Sequence, residues 1–522
     1  MYPEKKVVLL TLLLLLMPCL TGCNVSDTIS DAIADDDNDT PFPFGVASGD
    51  VTSSRAVLWT RTPQDATLAL EVSPDATFAG PPAFMQTVRT AAAADFTVKV
   101  VAEGLTPNTV YFYRWRQGRA TSETGTFRTA PAADSPVHVR FAYTGDADGT
   151  QVVPGRPFFN AFETLDAVRS ERPDFFVYLG DTIYADSLLR VSGPADTLED
   201  YRETYRENLE VLALPRLLQS TAVYAIWDDH EVRNDYAGTT VDRTLYRNGR
   251  QAFLEYLPVA EDNLPVDPSC AGNPLFRVFR WGAAVEVIIL DERSCRSATV
   301  EALCEGDLVP TLPPSRRTQL RGALDVSAEP PPGCLAALFD PARTLLGPVQ
   351  KALFKEVLRT SNATFKFVIN EVPIQQSWVL PYDRWEGYAA ERVEMLHFLR
   401  DHNIQNVIFL TTDTHANVIN EVFVDRFAEP APLSHEFVTG PIATTTLAQE
   451  ILVQFGPFLE ADVHKLLTLA GVECRDLDVN SYGVVEIDAT ARTATITLKD
   501  QAGAVVHDQL NPAVVCQKTV GP

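Results

Sequence analysis

The sequence predicts a layered α/β domain preceded by a smaller all-β domain. Three observations carry that expectation. Residues 41–131 hold short alternating runs, "RAVLWTRT", "ATLALEVS", "FTVKVVAEGL", "TVYFYRWRQ" and "ETGTFRTA", separated by turn residues and lacking a helical period. From about Pro136 the pattern changes to apolar strands that each end in an acid or an amide: "VHVRFAYTGD", "DFFVYLGD", "AVYAIWDD", "FKFVINE" and "NVIFLTTD". Helical stretches lie between several of these strands, among them "PFFNAFETLDAVRSER", "LEDYRETYRENLEVL" and "GPVQKALFKEVLRTS".

Taken in order, residues 1–23 are set aside from the fold. A charged lead, "MYPEKK", precedes an apolar core too short to span a bilayer, and "LTGC" ends at Cys23; this is the pattern of a secretory signal. The small residues before Cys23 resemble a bacterial lipobox. That resemblance implies cleavage before Cys23, lipid on its thiol and an exported protein anchored to a membrane of the bacterial cell envelope. Ordinary signal cleavage beside a stray cysteine is the alternative. Residues 24–40, "NVSDTISDAIADDDNDT", read as an acidic linker. Residues 41–131 read as a β-sandwich, and "LTPNTVYFYRWR" is similar to fibronectin-III-like or Ig-like modules. Residues 136–516 form the larger domain, in which "FRVFRWG" and "AVEVIILDERS" read as an antiparallel pair.

The formal net charge of −26 argues against a nucleic-acid scaffold binder, which needs a basic face to displace counterions. It leaves room for an anionic substrate if bound cations reverse the local sign. Of eight cysteines, six remain once Cys19 and Cys23 are removed: Cys270, Cys295, Cys304, Cys334, Cys474 and Cys516. An even number in an exported chain suggests disulfides, and proximity favours Cys295–Cys304 and Cys474–Cys516.

Five strand ends carry candidate ligands. They are "GDADG" with Asp146 and Asp148, "GDTIYAD" with Asp181, Tyr184 and Asp186, "WDDHEVRND" with Asp228, Asp229, His230 and Asn234, "VINEV" with Asn370, and "TTDTHAN" with Asp413 and His415. One acid after a strand is usually a helix cap. Five such ends are hard to explain by capping, because ligands of α/β sheets sit beyond the strands' carboxyl ends and crowded carboxylates repel one another. A pair of multivalent cations removes that repulsion. The donors are carboxylate, imidazole, amide and phenol without thiolate, which favours iron, calcium, manganese or magnesium over copper(I). Tyrosine is diagnostic, since a phenol with a pKa near ~10 ionises at neutral pH only beside a strong Lewis acid such as ferric iron.

The order of motifs resembles the calcineurin-like metallophosphoesterases, and "DADG" with "GDTIY" resembles their purple acid phosphatase variants. "PFPFGVASGDVTSSRAVLWTR", "GDTIYAD", "WDDHEVRNDY", "LDERSCR" and "YDRWEGYAAER" are similar to the alkaline phosphatase D (PhoD-like) family, from about residue 42 to near residue 500. The resemblance implies a metallophosphoesterase-like β-sandwich flanked by helices, acting as an exported metal-dependent phosphatase or phosphodiesterase. It implies ferric iron on Asp146, Asp181 and Tyr184, with Asp181 bridging to a divalent ion on Asp229; calcium comes first, with zinc or manganese as alternatives. Asn370, Asp413 and His415 become further metal ligands. His230 matches the histidine beside the scissile phosphate, and Arg293 and Arg384 become substrate contacts, although Arg293 equally suits an ion pair with a nearby acid. Glu231 reads as structural and Asn234 as support for the cluster loop. Three departures stand out. The family carries Cys at the position of Asp146, the first motif lacks the superfamily's histidine and leaves Asp148 without a role, and Asp413 stands where many relatives have histidine.

The expected chemistry is hydrolysis of phosphate esters by a hydroxide generated between two metals roughly 4 Å apart, in a monomer. The competing expectation is a non-catalytic surface lipoprotein whose β-sandwich binds a partner and whose metal site is a relic. The full run of motifs weighs against a relic.

Overall fold

The computed structural model describes residues 40–317, 327–378, 380–456 and 459–521. The signal, Cys23 and nearly all of the acidic linker lie outside the described residues. Among the described residues no helix is long and apolar enough to cross a membrane.

Two sheets face each other in the larger domain. At the centre of a nine-stranded sheet, Val139–Thr144, Phe175–Leu179 and Val223–Ile226 run parallel, with Phe141 paired to Phe175 and Phe176 to Val223. The second, seven-stranded sheet is built around Val285–Ile289, Phe365–Asn370, Val407–Thr411 and Ser434–Val438, again in parallel. Phe175–Leu179 and Val407–Thr411 are buried at every position, as expected of strands covered on both faces. Phe141 joins the two sheets: it stacks on Phe175 at 4.6 Å and meets Phe367 edge-on at 5.1 Å. The expected antiparallel pair is present, with Arg277 opposite Ile289.

Helices cover the outer faces, and their starts follow local chemistry. Leu198–Leu209 begins with a capping box in which Thr197 and Asp200 satisfy each other's backbone N–H groups. Arg243–Tyr256 is capped by the Asp242 carboxylate, and Pro348–Thr360 opens on proline. Glu163–Ser170, Leu198–Leu209 and Pro348–Thr360 fall on the predicted helical stretches; Arg243–Tyr256 lies outside them.

The strands between residues 46 and 128 contain a five-stranded sheet, including Thr67–Ser73 and Val110–Gln117, packed over Leu58, Leu70 and Trp115. The remaining three strands of this region do not stay within it. Val46–Gly49, Arg55–Arg61 and Thr97–Glu103 extend the nine-stranded sheet, joined where Gly49 pairs with Val223. A Cβ on Gly49 would lie 2.6 Å from the Val223 carbonyl oxygen, so only glycine permits this approach. A buried ion pair, Asp50 to Arg277 at 2.7 Å, and a hydrogen bond from the Trp59 indole to the Glu255 carbonyl at 2.7 Å secure the junction.

The disulfides are Cys270–Cys295, Cys304–Cys334 and Cys474–Cys516. The Cys474–Cys516 expectation agrees; Cys295–Cys304 does not. Cys295 closes the turn after Val285–Ile289, and that turn packs on the loop around residue 270, where the Ala271 N–H donates to the Ser294 carbonyl at 2.8 Å. Cys304 instead faces the short helix Cys334–Leu338. Nearness in sequence does not report which loops pack together.

Candidate metal centre

Both sheets deliver their strand ends to one rim, and the turns there are unusual. Asp146, Asp181, Asp413 and His415 all adopt positive φ, at 62°, 46°, 64° and 53°. Four non-glycine residues in this region at one edge mark a place where the surroundings impose a conformation the chain does not favour. Gly180, also at positive φ, has no room for a side chain, since a Cβ would meet that of Asp228 at 2.8 Å.

Two cation-sized groups share a member. Ligand atoms of Asp146, Asp181 and His415 lie within 4.8 Å of one another, and so do those of Asp181, Asp229 and His230. Asp181 therefore sits between the two, where a bridging carboxylate was expected. Tyr184 joins the first group: its hydroxyl is 3.0 Å from His415 Nε2, and His415 Nδ1 is 2.9 Å from Glu450 Oε1. The Tyr184 ring stacks on His230 at 4.1 Å. His230 Nδ1 lies 2.6 Å from Asp186 Oδ1, and the other Asp186 oxygen accepts the Asn234 N–H at 2.7 Å.

The electrostatics favour added positive charge. Burial pushes the Asp146 carboxyl up to about 7, and burial, despite Arg293, raises Asp228 to about 6. Burial would also raise Asp229, but Arg293 and His230 outweigh it and hold that carboxyl at about 2. Burial, with Asp181 and Asp146 nearby, pushes the Tyr184 phenol well above its ordinary range. Burial opposes the charge on His230, yet Asp181, Asp229 and Asp186 raise its pKa well above the usual value. Burial likewise opposes charge on His415, and Glu450 lifts it to about 9.

The donors fit metal ions. Both carboxylate oxygens of Asp146 and Oδ2 of Asp228 are buried without a hydrogen-bond partner, and buried polar atoms are rarely left so. Carboxylates, imidazole and phenol together suit hard cations.

Other predicted residues take different places. Both ends of the Asn370 carboxamide are engaged by the scaffold: Oδ1 accepts the Trp385 indole N–H at 2.8 Å, and Nδ2 donates to the Val372 carbonyl and to Thr411 Oγ1. The oxygen keeps a second lone pair beyond the one held by Trp385, so Asn370 stays a candidate ligand. Arg293 is fully buried; its guanidinium donates to Asp228 and, at 2.9 and 2.8 Å, to Asp383, with Asp229 at 3.7 Å and Asp413 at 3.9 Å. Of its two expected roles, the contacts are those of an ion pair. Arg384 is half-buried and donates to Ser377 Oγ at 3.0 Å. Asp148 braces its loop by accepting from Thr150 N–H at 2.9 Å and Ser187 Oγ at 2.7 Å. Glu231 accepts from Thr182 twice and from the Asp228 N–H, the structural role expected of it.

The sequence offered Asp186 only as one more candidate ligand and gave no role to Glu450 or Asp383. Asp186 was visible inside "GDTIYAD", and Asp383 adjoins the Arg384 that was chosen instead. Glu450 lies on the helix Leu447–Phe455, and no motif marks it.

A family model for the PhoD-like phosphatase matches residues 149–498, and one for the PhoD-like phosphatase N-terminal domain matches residues 28–131. Alkaline phosphatase D of Bacillus subtilis (strain 168) is 28% identical over 428 residues, covering 74% of this chain and 66% of that protein. The chain thus spans about two thirds of the length of that relative. A solved structure of PhoD has a TM-score of 0.72 at 22% identity, covering 95% of this chain and 90% of that one. Purple acid phosphatase PPD1 from yellow lupin (Lupinus luteus) seeds has a TM-score of 0.55 at 12% identity, covering 91% and 73%. These two structures share the fold, and the family match over residues 149–498 places the chain in the PhoD-like phosphatase family.

Proposed function

We propose that this protein is an exported, metal-dependent phosphoesterase, anchored through Cys23 and acting on phosphate esters. The observation that carries the reading is Asp181 shared by two cation-sized groups, one of which contains the unpartnered Asp146 carboxylate. Asp146, Asp181, Tyr184 and His415 would hold ferric iron. Asp181 and Asp229 would hold a divalent ion, calcium first among the candidates. Asp413, which shares the space around Arg293 with Asp229, and Asn370 are the remaining candidate ligands. Bound together, such cations supply an acidified water and positive charge opposite the phosphoryl oxygens.

The chain's own groups do the rest. His230, held charged by three carboxylates, gives its Nδ1–H to Asp186 and presents Nε2–H as the proton donor to the leaving oxygen. Asp186 fixes the ring's orientation from behind, and Tyr184 supports its face. Arg293 neutralises Asp228 and Asp383, so that Asp229 stays ionised within a crowded rim. Hydrolysis of a chromogenic phosphodiester, before and after chelation and with metal add-back, tests the reading. Activity that survives exhaustive removal of metal, or that never appears with any cation, would sink it; the second result returns the non-catalytic reading.

A further inference from the structure

A cavity of about 120 Å³ lies beside the metal centre, between the strands Asn417–Val422 and Ser434–Val438 and the helices Leu447–Phe455 and Leu459–Ala470. Val418, Val438, Ile451, Val463 and Leu467 give it hydrocarbon walls. Some of its polar lining adjoins the metal centre. Thr414 stands between Asp413 and His415, Glu450 accepts from His415 Nδ1, and the Arg384 charge acts on Asp413. Protein interiors rarely leave spaces much larger than a water molecule. An apolar cavity of ~150 Å³ takes up benzene, so this one has the scale of one aromatic ring or a short alkyl segment. Apolar walls next to polar groups at a reaction centre describe a site for an amphiphile whose charged head meets the metals.

We infer that this cavity receives an apolar substituent of the ester, so that the enzyme prefers phosphate esters carrying an alkyl or aryl group over those of hydrophilic alcohols. The inference rests on the phosphoesterase reading, and its test separates the two. The first arm needs no turnover: titration calorimetry of the metal-loaded protein with hexylphosphonate and methylphosphonate. Each buried methylene is typically worth roughly fourfold in affinity, and five of them, partly buried, should favour hexylphosphonate by ~30-fold or more, with a negative heat-capacity change. Val463→Phe, which fills the cavity, should remove that preference and leave methylphosphonate affinity within about twofold. Leu467→Ala, which enlarges it, should shift the optimum from hexyl to octyl, so one informative variant remains if the other does not fold. The second arm compares kcat/KM for the hexyl and methyl phosphodiesters of glycerol, where the hexyl advantage should lie mainly in KM. Equal affinity for the two phosphonates in the wild-type protein, or a hexyl preference unchanged in the folded variants, overturns the inference. Phosphonate binding with the expected preference but hydrolysis of neither ester would overturn the phosphoesterase reading and leave the cavity's role standing.

Discussion

The strand ends of the two sheets look alike in sequence and behave differently where they meet in the fold. On the nine-stranded sheet, the side chains after the strands have polar atoms to spare: Asp146 has no partner for either oxygen, and Asp228 lacks one for Oδ2. On the seven-stranded sheet, more of the corresponding groups are engaged by the scaffold, although Glu371 Oε1 is also unmet and Asp413 and His415 turn toward the metal centre. Asp291 accepts from the Trp227 indole, from the Leu275 N–H and from Ser294, and Asn370 is held at both ends. Both sets of strand ends read as strand followed by acid or amide. Unmet carboxylate oxygens that converge with other ligand atoms within a few ångströms, as at Asp146, mark where cations fit, while a satisfied group marks where the scaffold holds itself in place.

The largest expected effect comes from removing the shared carboxylate. Asp181→Ala should abolish binding of both cations and reduce hydrolysis to background, read by metal analysis of the purified protein; retention of both metals would show that Asp181 is not the common ligand. Next in size, His230→Ala should leave metal content unchanged and slow turnover by ~10²–10⁴-fold. The loss should be largest for esters with a poor alkoxide leaving group and smallest for nitrophenolate. A uniform loss across leaving groups would make His230 a charge stabiliser instead of the proton donor. Asp186→Asn, acting only through His230, should cost ~10–100-fold, the scale seen when groups supporting a functional histidine are removed. Its pH–rate profile should shift to a lower acidic-group pKa, because one of the carboxylates that raises the imidazole pKa is gone.

At the strand ends of the seven-stranded sheet the expected effect is structural. Asn370→Ala should lower stability by ~1–3 kcal/mol, since the Val372 carbonyl and Thr411 Oγ1 lose a buried donor and the Trp385 N–H keeps only Glu292 Oε1 as acceptor, while metal content stays the same. Loss of a metal equivalent would make Asn370 a ligand and erase the distinction between the two sets of strand ends. The smallest effect is a titration. The Asp146 carboxyl, raised by burial to about 7, must lose its proton to take a cation. Cation affinity should therefore fall as pH drops below about 7 and level off above it, with proton release measurable by calorimetry in two buffers. A flat profile between pH 5 and 8 would place Asp146 outside the coordination set.

Much of this was legible in the chain. Five strand ends bearing acids predicted the rim, and "GDTIYAD" with "WDDHEVRND" predicted which side chains meet there. Local patterning reports strands and turns well because it is set by near neighbours along the chain. What could not be read depends on which loops pack together. Glu450 reaches His415 from a helix 35 residues further on, Arg293 spends its charge on Asp383 90 residues away, and Cys295 pairs backwards to Cys270 instead of forwards to Cys304. The continuity of the sheet across residues 131–136 was equally hidden, because the strand that carries it, "VASG", is four residues long and shows no alternation.

That continuity gives the N-terminal strands a second duty. Val223–Ile226 leads directly into Trp227, Asp228 and Asp229, and Val46–Gly49 pairs with its first residue. Without the N-terminal strands, Val223–Ile226 would become the border of its sheet, a short apolar ladder open to pairing with another chain. A truncated protein beginning after residue 131 should therefore aggregate rather than merely lose a passenger, and the strand most exposed to that mispairing would be the one that aims Asp229 and His230.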